Sequence, residues 1–185
     1  MDMNSAGFDI TLLNWLNHHL IPNSAPFLGA VSHLTTFISI LSVLIVLMLW
    51  YVTGSRTTLK KFFILVSVLI LVLIFSQGLK SLIYKDRPFD TYPFIEKLSD
   101  GGGSSFPSGH TMEAFAMATE FSLLFRRKEI VIPAFLWAVV VAYSRMALGV
   151  HYPSDVLGGC LIGIFLGWVV PWSFKRINFA GKTNS

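Results

Sequence analysis

Five stretches of about twenty residues read as almost wholly apolar: 27–52, 62–84, 106–125, 130–150 and 156–174. At 1.5 Å of helix per residue, each approaches or exceeds the roughly 30 Å of a hydrocarbon layer. The pattern predicts an all-α fold, a polytopic membrane bundle of about five transmembrane helices forming a single domain over 1–185. The third stretch carries Glu113 and Glu120, and the fourth Arg145. A lipid-facing helix holds such charges only at high cost, so these side chains are expected to point inward. Ahead of the spans, Phe8, Leu12, Leu13, Trp15, Leu16 and Leu20 recur at helical spacing in a run too short to cross. Residues 8–20 are therefore expected to form an amphipathic helix lying in the interface. This segment lacks the basic start and small-residue cleavage site of a signal peptide. On the last span Gly159, Gly163 and Gly167 repeat every four residues, a small-residue face suited to packing inside the bundle.

Composition agrees. Of 185 residues 54% are hydrophobic and only 13% charged, half the charge of an ordinary soluble domain. One cysteine, Cys160, excludes an intrachain disulfide or a cysteine metal site. Basic residues orient the bundle. Arg56, Lys60 and Lys61 lie in one linker, Arg126, Arg127 and Lys128 in another, and Lys175, Arg176 and Lys182 in the tail. These nine of fourteen lysines and arginines fall on one side of a five-span chain, which the positive-inside rule makes cytoplasmic. The N-terminus and the 85–105 loop are then outside.

The outer ends receive the chemistry. In "KSLIYKDRP", Lys80 precedes Arg87 by two helical turns, about 10 Å if the helix continues, and Pro88 pushes Arg87 out of helix. Lys80 and Lys85 also suit simple anchoring of a helix end, whereas Arg87 departs from the positive-inside pattern and can fork onto phosphate oxygens. "SSFPSGH" has a capping serine among Ser104, Ser105 and Ser108, and capping leaves His110 unexplained. "SRMALGVHYPSD" puts Arg145 about 9 Å from His151 in continuous helix and lets the Tyr-Pro-Ser turn fold Asp155 back toward the imidazole. A carboxylate on one ring nitrogen would leave the other as nucleophile or base. Against this stand milder readings, in which Asp155 caps the last span and Arg145 pairs with Glu113 or Glu120. Three such groups on one surface favour chemistry.

Lys80–x6–Arg87–Pro88, Pro107–Ser108–Gly109–His110 and Ser144–Arg145–x5–His151–x3–Asp155 together resemble the signature of the type 2 phosphatidic acid phosphatase superfamily, in its membrane-integrated lipid phosphatase branch. The motifs cover residues 80–155. The resemblance implies that His151 attacks phosphorus to form a phosphohistidine, that Asp155 orients it, and that His110 protonates the leaving oxygen and then activates water. It implies that Lys80, Arg87, Ser108, the Gly109 N–H and Arg145 bind the phosphoryl oxygens. The implied enzyme is a hydrolase with no cofactor and no metal. Its substrate would be a membrane lipid phosphate or pyrophosphate, such as undecaprenyl pyrophosphate, phosphatidylglycerol phosphate or a lipid A phosphate. It would sit in a bacterial inner membrane, its site facing the periplasm or exterior, with no nucleic-acid partner. Many undecaprenyl pyrophosphate phosphatases carry aspartate where this chain has Gly109. A non-catalytic lipid-binding or scaffold protein that keeps the pocket is the alternative, although it would have no use for a nucleophile. Glu113 and Glu120 are expected to be structural, with Glu113 close enough to His110 to touch a headgroup.

Overall fold

The computed structural model describes residues 7–19 and 23–174. Among these the chain is entirely helical: α1 (Phe8–His18), α2 (Ala25–Thr53), α3 (Arg56–Leu82), the single turn α4 (Pro88–Thr91), α5 (Gly109–Phe125), α6 (Lys128–Ala147) and α7 (Pro153–Phe174). The basic tail at Lys175, Arg176 and Lys182 lies outside the described residues, as does Leu20.

Local chemistry sets the boundaries. α2 stops where Gly54 takes a left-handed conformation and donates its N–H to the Trp50 carbonyl, a conformation glycine adopts without steric cost. α3 begins two residues later, with Ser55 Oγ accepting from the Thr58 N–H as a side-chain cap. Pro88 occupies the first turn of α4 and Arg87 is extended, as the proline requires.

Four helices, α2, α3, α6 and α7, are long and apolar enough to cross a membrane. The fifth expected span, α5, has 17 residues, about 25 Å of helix. It is the inner element of the bundle, packed against α2, α3, α6 and α7. It joins the end where α3 stops to the end where α6 starts. Wrapped by four neighbours, it needs neither full span length nor freedom from charge, and Glu120 on it is fully buried. The glycine stripe explains the closest of these contacts. A Cβ at Gly159, Gly163 or Gly167 would lie 2.6, 2.4 or 2.5 Å from the carbonyl oxygens of Ser108, Met112 or Ala116. The α7 backbone thus rests directly on α5, the packing expected from the spacing. The largest buried cluster, including Leu65, Val68, Met112 and Leu166, fills the space between α3, α5 and α7.

α1, expected to lie in the interface, is bound into the fold. Phe8 and Trp15 are exposed, while Ile10 and Leu13 pack with Ile95 and Tyr152. Asn17 donates to the carbonyls of Ala147 (2.9 Å) and Glu96 (3.1 Å) and accepts from the Glu96 N–H (2.9 Å). One face of α1 therefore docks on the loops around the α6–α7 turn.

Candidate active site

A cavity of about 550 Å³ opens among α2, α3, α5 and the outer loops, lined by residues that include Lys80, Arg87, Gly109, His110, Arg145 and His151. Six of the eight residues singled out by the motifs therefore meet at one place. Ser108 and Asp155 stand behind its wall.

α3 ends at Leu82, five residues before Arg87, so Lys80 and Arg87 are not on one helical face as the spacing predicts. The loop 83–87 carries Arg87 back over the cavity. Lys80, in the last turn of α3, has no hydrogen bond or ion pair among the described residues. Arg87 is buried, and three of its N–H groups are already committed. Nε donates to the Gly103 carbonyl (3.1 Å), Nη2 to Gly102 (2.9 Å) and Nη1 to Val150 (3.0 Å). Each terminal nitrogen keeps one N–H free. The arginine thus ties the glycine loop to the α6–α7 turn while lending its charge to the cavity. Gly101 permits this, since a Cβ there would fall 2.7 Å from Arg87 Nη1.

The α5 start is built for an anion. Ser108 holds the N-cap position but makes no side-chain cap bond, and its hydroxyl instead pairs with Thr111 Oγ1 at 2.9 Å. The first N–H groups of a helix have no intrahelical acceptor, so those of the α5 first turn stay available, with the positive end of the helix dipole behind them. Gly109 allows close approach of α3, because a Cβ would sit 2.9 Å from Ser76 Oγ. His110 follows directly and lines the cavity.

The third motif departs from continuous helix as well. α6 ends at Ala147, and Gly149 adopts φ +73°, where a Cβ would strike the Glu96 carbonyl oxygen at 2.3 Å. The N–H groups of Val150 and His151 both turn back to the Arg145 carbonyl at 3.3 Å. This fold-back aims His151 and Arg145 into the same cavity. Arg145 pairs with neither glutamate: Nη1 donates to Ser32 Oγ (2.7 Å), and Nε is buried without an acceptor among the described residues. Glu113 Oε2 accepts from Thr36 Oγ1 (2.8 Å), and neither oxygen of Glu120 has a partner among the described residues.

His151 Nδ1 lies 3.8 Å from Asp155 Oδ2, beyond hydrogen-bond range, and is buried without a partner among the described residues. The turn brings carboxylate and imidazole together as expected, but Asp155 spends its oxygens elsewhere. Oδ1 accepts from Lys85 Nζ (2.7 Å), and Oδ2 from Ser105 Oγ and the Tyr152 N–H (3.0 Å). Burial, with Arg145 and Arg87 adding to it, pulls the His151 imidazole down from 6.5 to about 4, against the pull of Asp155. The ring is therefore neutral, with a lone pair available, at any ordinary pH.

Sequence reasoning missed the residues behind this wall. Lys85, read as an anchor, also donates to Ser154 Oγ (3.0 Å) and lies over the Tyr152 ring. Asp9 of α1 accepts from the Ser154 N–H (2.8 Å) and hydroxyl, capping α7 from another helix. The one available signal was Lys85 itself, a basic residue on the side the positive-inside rule leaves poor in charge. Among the described residues no group of three His, Cys, Asp or Glu side chains is placed to hold a metal ion.

The sequence matches the family model of the PAP2 superfamily over residues 61–179. It is 38% identical over 84 residues to a lipid A 4'-phosphatase of Bacteroides thetaiotaomicron, covering 45% of this chain and 37% of that protein. It is 33% identical over 86 residues to the undecaprenyl-diphosphatase BcrC of Bacillus subtilis, covering 46% of this chain and 44% of that one. The matched region thus spans less than half the length of either relative. Among solved structures, a transmembrane PAP2-type phosphatidylglycerolphosphate phosphatase from Bacillus subtilis superposes with a TM-score of 0.74 at 25% identity, covering 93% of this chain and 87% of that one.

Proposed function

The chain belongs to the PAP2 superfamily, and from that premise we propose that it is a membrane phosphatase that hydrolyses a lipid phosphate or pyrophosphate through a phosphohistidine. The observation that carries this reading is the cavity itself, which gathers Lys80, Arg87, Arg145 and two histidines at one end and Ile40, Leu69 and Leu73 at the other. Such a cavity suits an amphiphile with an anionic head.

In the proposed reaction one His151 ring nitrogen, the one not facing Asp155, attacks phosphorus. The N–P bond forms as the P–O bond to the lipid breaks, and His110 gives its proton to the leaving oxygen. Water then attacks the phosphohistidine, His110 takes the proton, and phosphate leaves with the histidine restored. Lys80, Arg87, Arg145 and the α5 N–H groups stabilise charge on the transferring oxygens, the principal demand of phosphoryl transfer. Charge building on His151 draws Asp155 onto Nδ1 and closes the 3.8 Å gap. Ser108, bound to Thr111, holds the α5 start in shape. The site faces the periplasm or cell exterior of a bacterial inner membrane, a reading supported by the basic linkers at 56–61 and 126–128 on the opposite side.

The test is phosphate release by the purified protein from phosphatidylglycerol phosphate, a lipid A phosphate and undecaprenyl pyrophosphate. Brief reaction with ³²P-labelled substrate should leave acid-labile, base-stable label on the wild type and none on His151→Ala. Release from none of the three lipids would refute the reading.

A further inference from the structure

Resting on that phosphatase reading, we propose that Glu113, set by Thr36, reads the leaving group. The favoured substrates are then lipid phosphomonoesters whose leaving group carries O–H or N–H donors, rather than polyprenyl diphosphates.

The cavity wall is graded. On α3, Leu69, Val72, Ser76, Gln77 and Lys80 all line it, and their three- and four-residue spacing places them on one face. Over this span, about 16 Å of helix, the wall passes from apolar to hydroxyl and amide and then to ammonium. Ser76 sits at the level of Gly109, since its Oγ is 2.9 Å from where a Gly109 Cβ would be. Glu113 lies one turn deeper on α5 than His110, about 4.5 Å along the axis, and is joined there to Thr36 of α2. One turn beyond Thr36 the α2 lining is Ile40. Glu113 and Thr36 therefore mark the last polar level before the apolar end, on the side of His110 where the leaving oxygen departs.

The hydrogen bonding at this level is incomplete. Glu113 Oε2 accepts from Thr36, but Oε1 is buried and has no donor among the described residues. A buried acceptor left unmet is costly, and a bound lipid that supplies a donor removes the cost. A glycerol or sugar leaving group brings hydroxyls or an amide N–H to this point. The inner phosphate of a diphosphate brings only acceptors and a like charge, while the cations Lys80, Arg87 and Arg145 are gathered at the outer end around the reacting phosphate.

The experiment compares kcat/KM on phosphatidylglycerophosphate and on a polyprenyl diphosphate for wild type, Glu113→Leu and Glu113→Gln in one detergent. A soluble aryl phosphate serves as the control for intact chemistry. Wild type should favour the glycerol substrate. Glu113→Leu should lose about 10- to 100-fold on it, the range for a hydrogen bond to a charged group, while the diphosphate rate holds or rises. Glu113→Gln, which keeps an acceptor without the charge, should fall between. If Glu113→Leu also loses the aryl phosphate, the isosteric Gln variant decides with the same signs. Wild-type preference for the diphosphate, or equal losses on both lipids, would overturn the assignment and leave the phosphatase intact. Wild-type protein that releases phosphate from neither lipid nor the aryl phosphate would instead overturn the phosphatase reading beneath it.

Discussion

Replacing Lys85 with methionine tests whether this residue restrains the Asp155 carboxylate beside the proposed nucleophile. Asp155 is fully buried and Lys85 Nζ meets its Oδ1 at 2.7 Å. Removing one partner of a fully buried pair costs about 3–5 kcal/mol, but the lysine side chain is 34% exposed, and Ser105 and the Tyr152 N–H remain on the carboxylate. Solvent screening and these surviving bonds reduce the expected loss to about 1–3 kcal/mol. For a chain of this length that is roughly 2–12 °C in Tm, read by tryptophan fluorescence in detergent. The second effect is on proton affinity. Asp155 raises the His151 pKa, and Lys85 competes for that carboxylate. Without Lys85 the imidazole should move up from about 4 toward its ordinary value. In the proposed reaction neutral His151 is the attacking form, so the acid limb of kcat/KM, which reports the free enzyme, should move to higher pH. In an Asp155→Asn background the same lysine replacement should leave both Tm and the limb nearly unchanged. An acid limb that stays put in Lys85→Met, or an equal response in both backgrounds, would refute the coupling between Lys85 and His151 through Asp155.

The two histidines should separate by leaving group. His151→Ala should abolish turnover on every substrate, while His110→Ala should lose about 10²- to 10⁴-fold on a lipid alkoxide and much less on an activated aryl phosphate. The reversed pattern would exchange their roles. Gly163→Val, which drives side-chain carbon into the Met112 carbonyl from 2.4 Å, should destabilise by at least the roughly 1–3 kcal/mol of ordinary overpacking, and an unchanged Tm would show that α7 does not rest on α5. In a Cys160→Ser background, cysteine at the exposed Gly102 should react with an impermeant thiol reagent on intact cells and cysteine at Thr57 should not. The opposite labelling would place the site on the cytoplasmic side.

Periodicity and charge alone determine a good deal of this protein. Runs of apolar residues specify helices because lipid offers the backbone no hydrogen bonds. The glycine stripe on α7 is legible because a four-residue repeat of missing side chains has one geometric use, the close approach that Met112 and Ala116 make there. The motifs are legible because histidines, arginines and a lysine gathered at span ends exceed what anchoring and capping require. What a linear reading extends as helix, the tertiary structure bends. Lys80 and Arg87, and likewise Arg145 and His151, meet through a loop and a left-handed Gly149, not along a helical face. The partners of each charge were also undetermined, because they come from segments distant in sequence. Ser32 for Arg145, Thr36 for Glu113, Lys85 for Asp155 and Asp9 for Ser154 are hydroxyls and charges ordinary enough to carry no local signal. Even α1, whose pattern predicts an interfacial helix, turned its inner face to the site loops because Asn17 and Asp9 found backbone groups to satisfy there. A residue's type limits which bonds it can make; the packing of α1, α2 and the glycine loop around α5 decided which of them form.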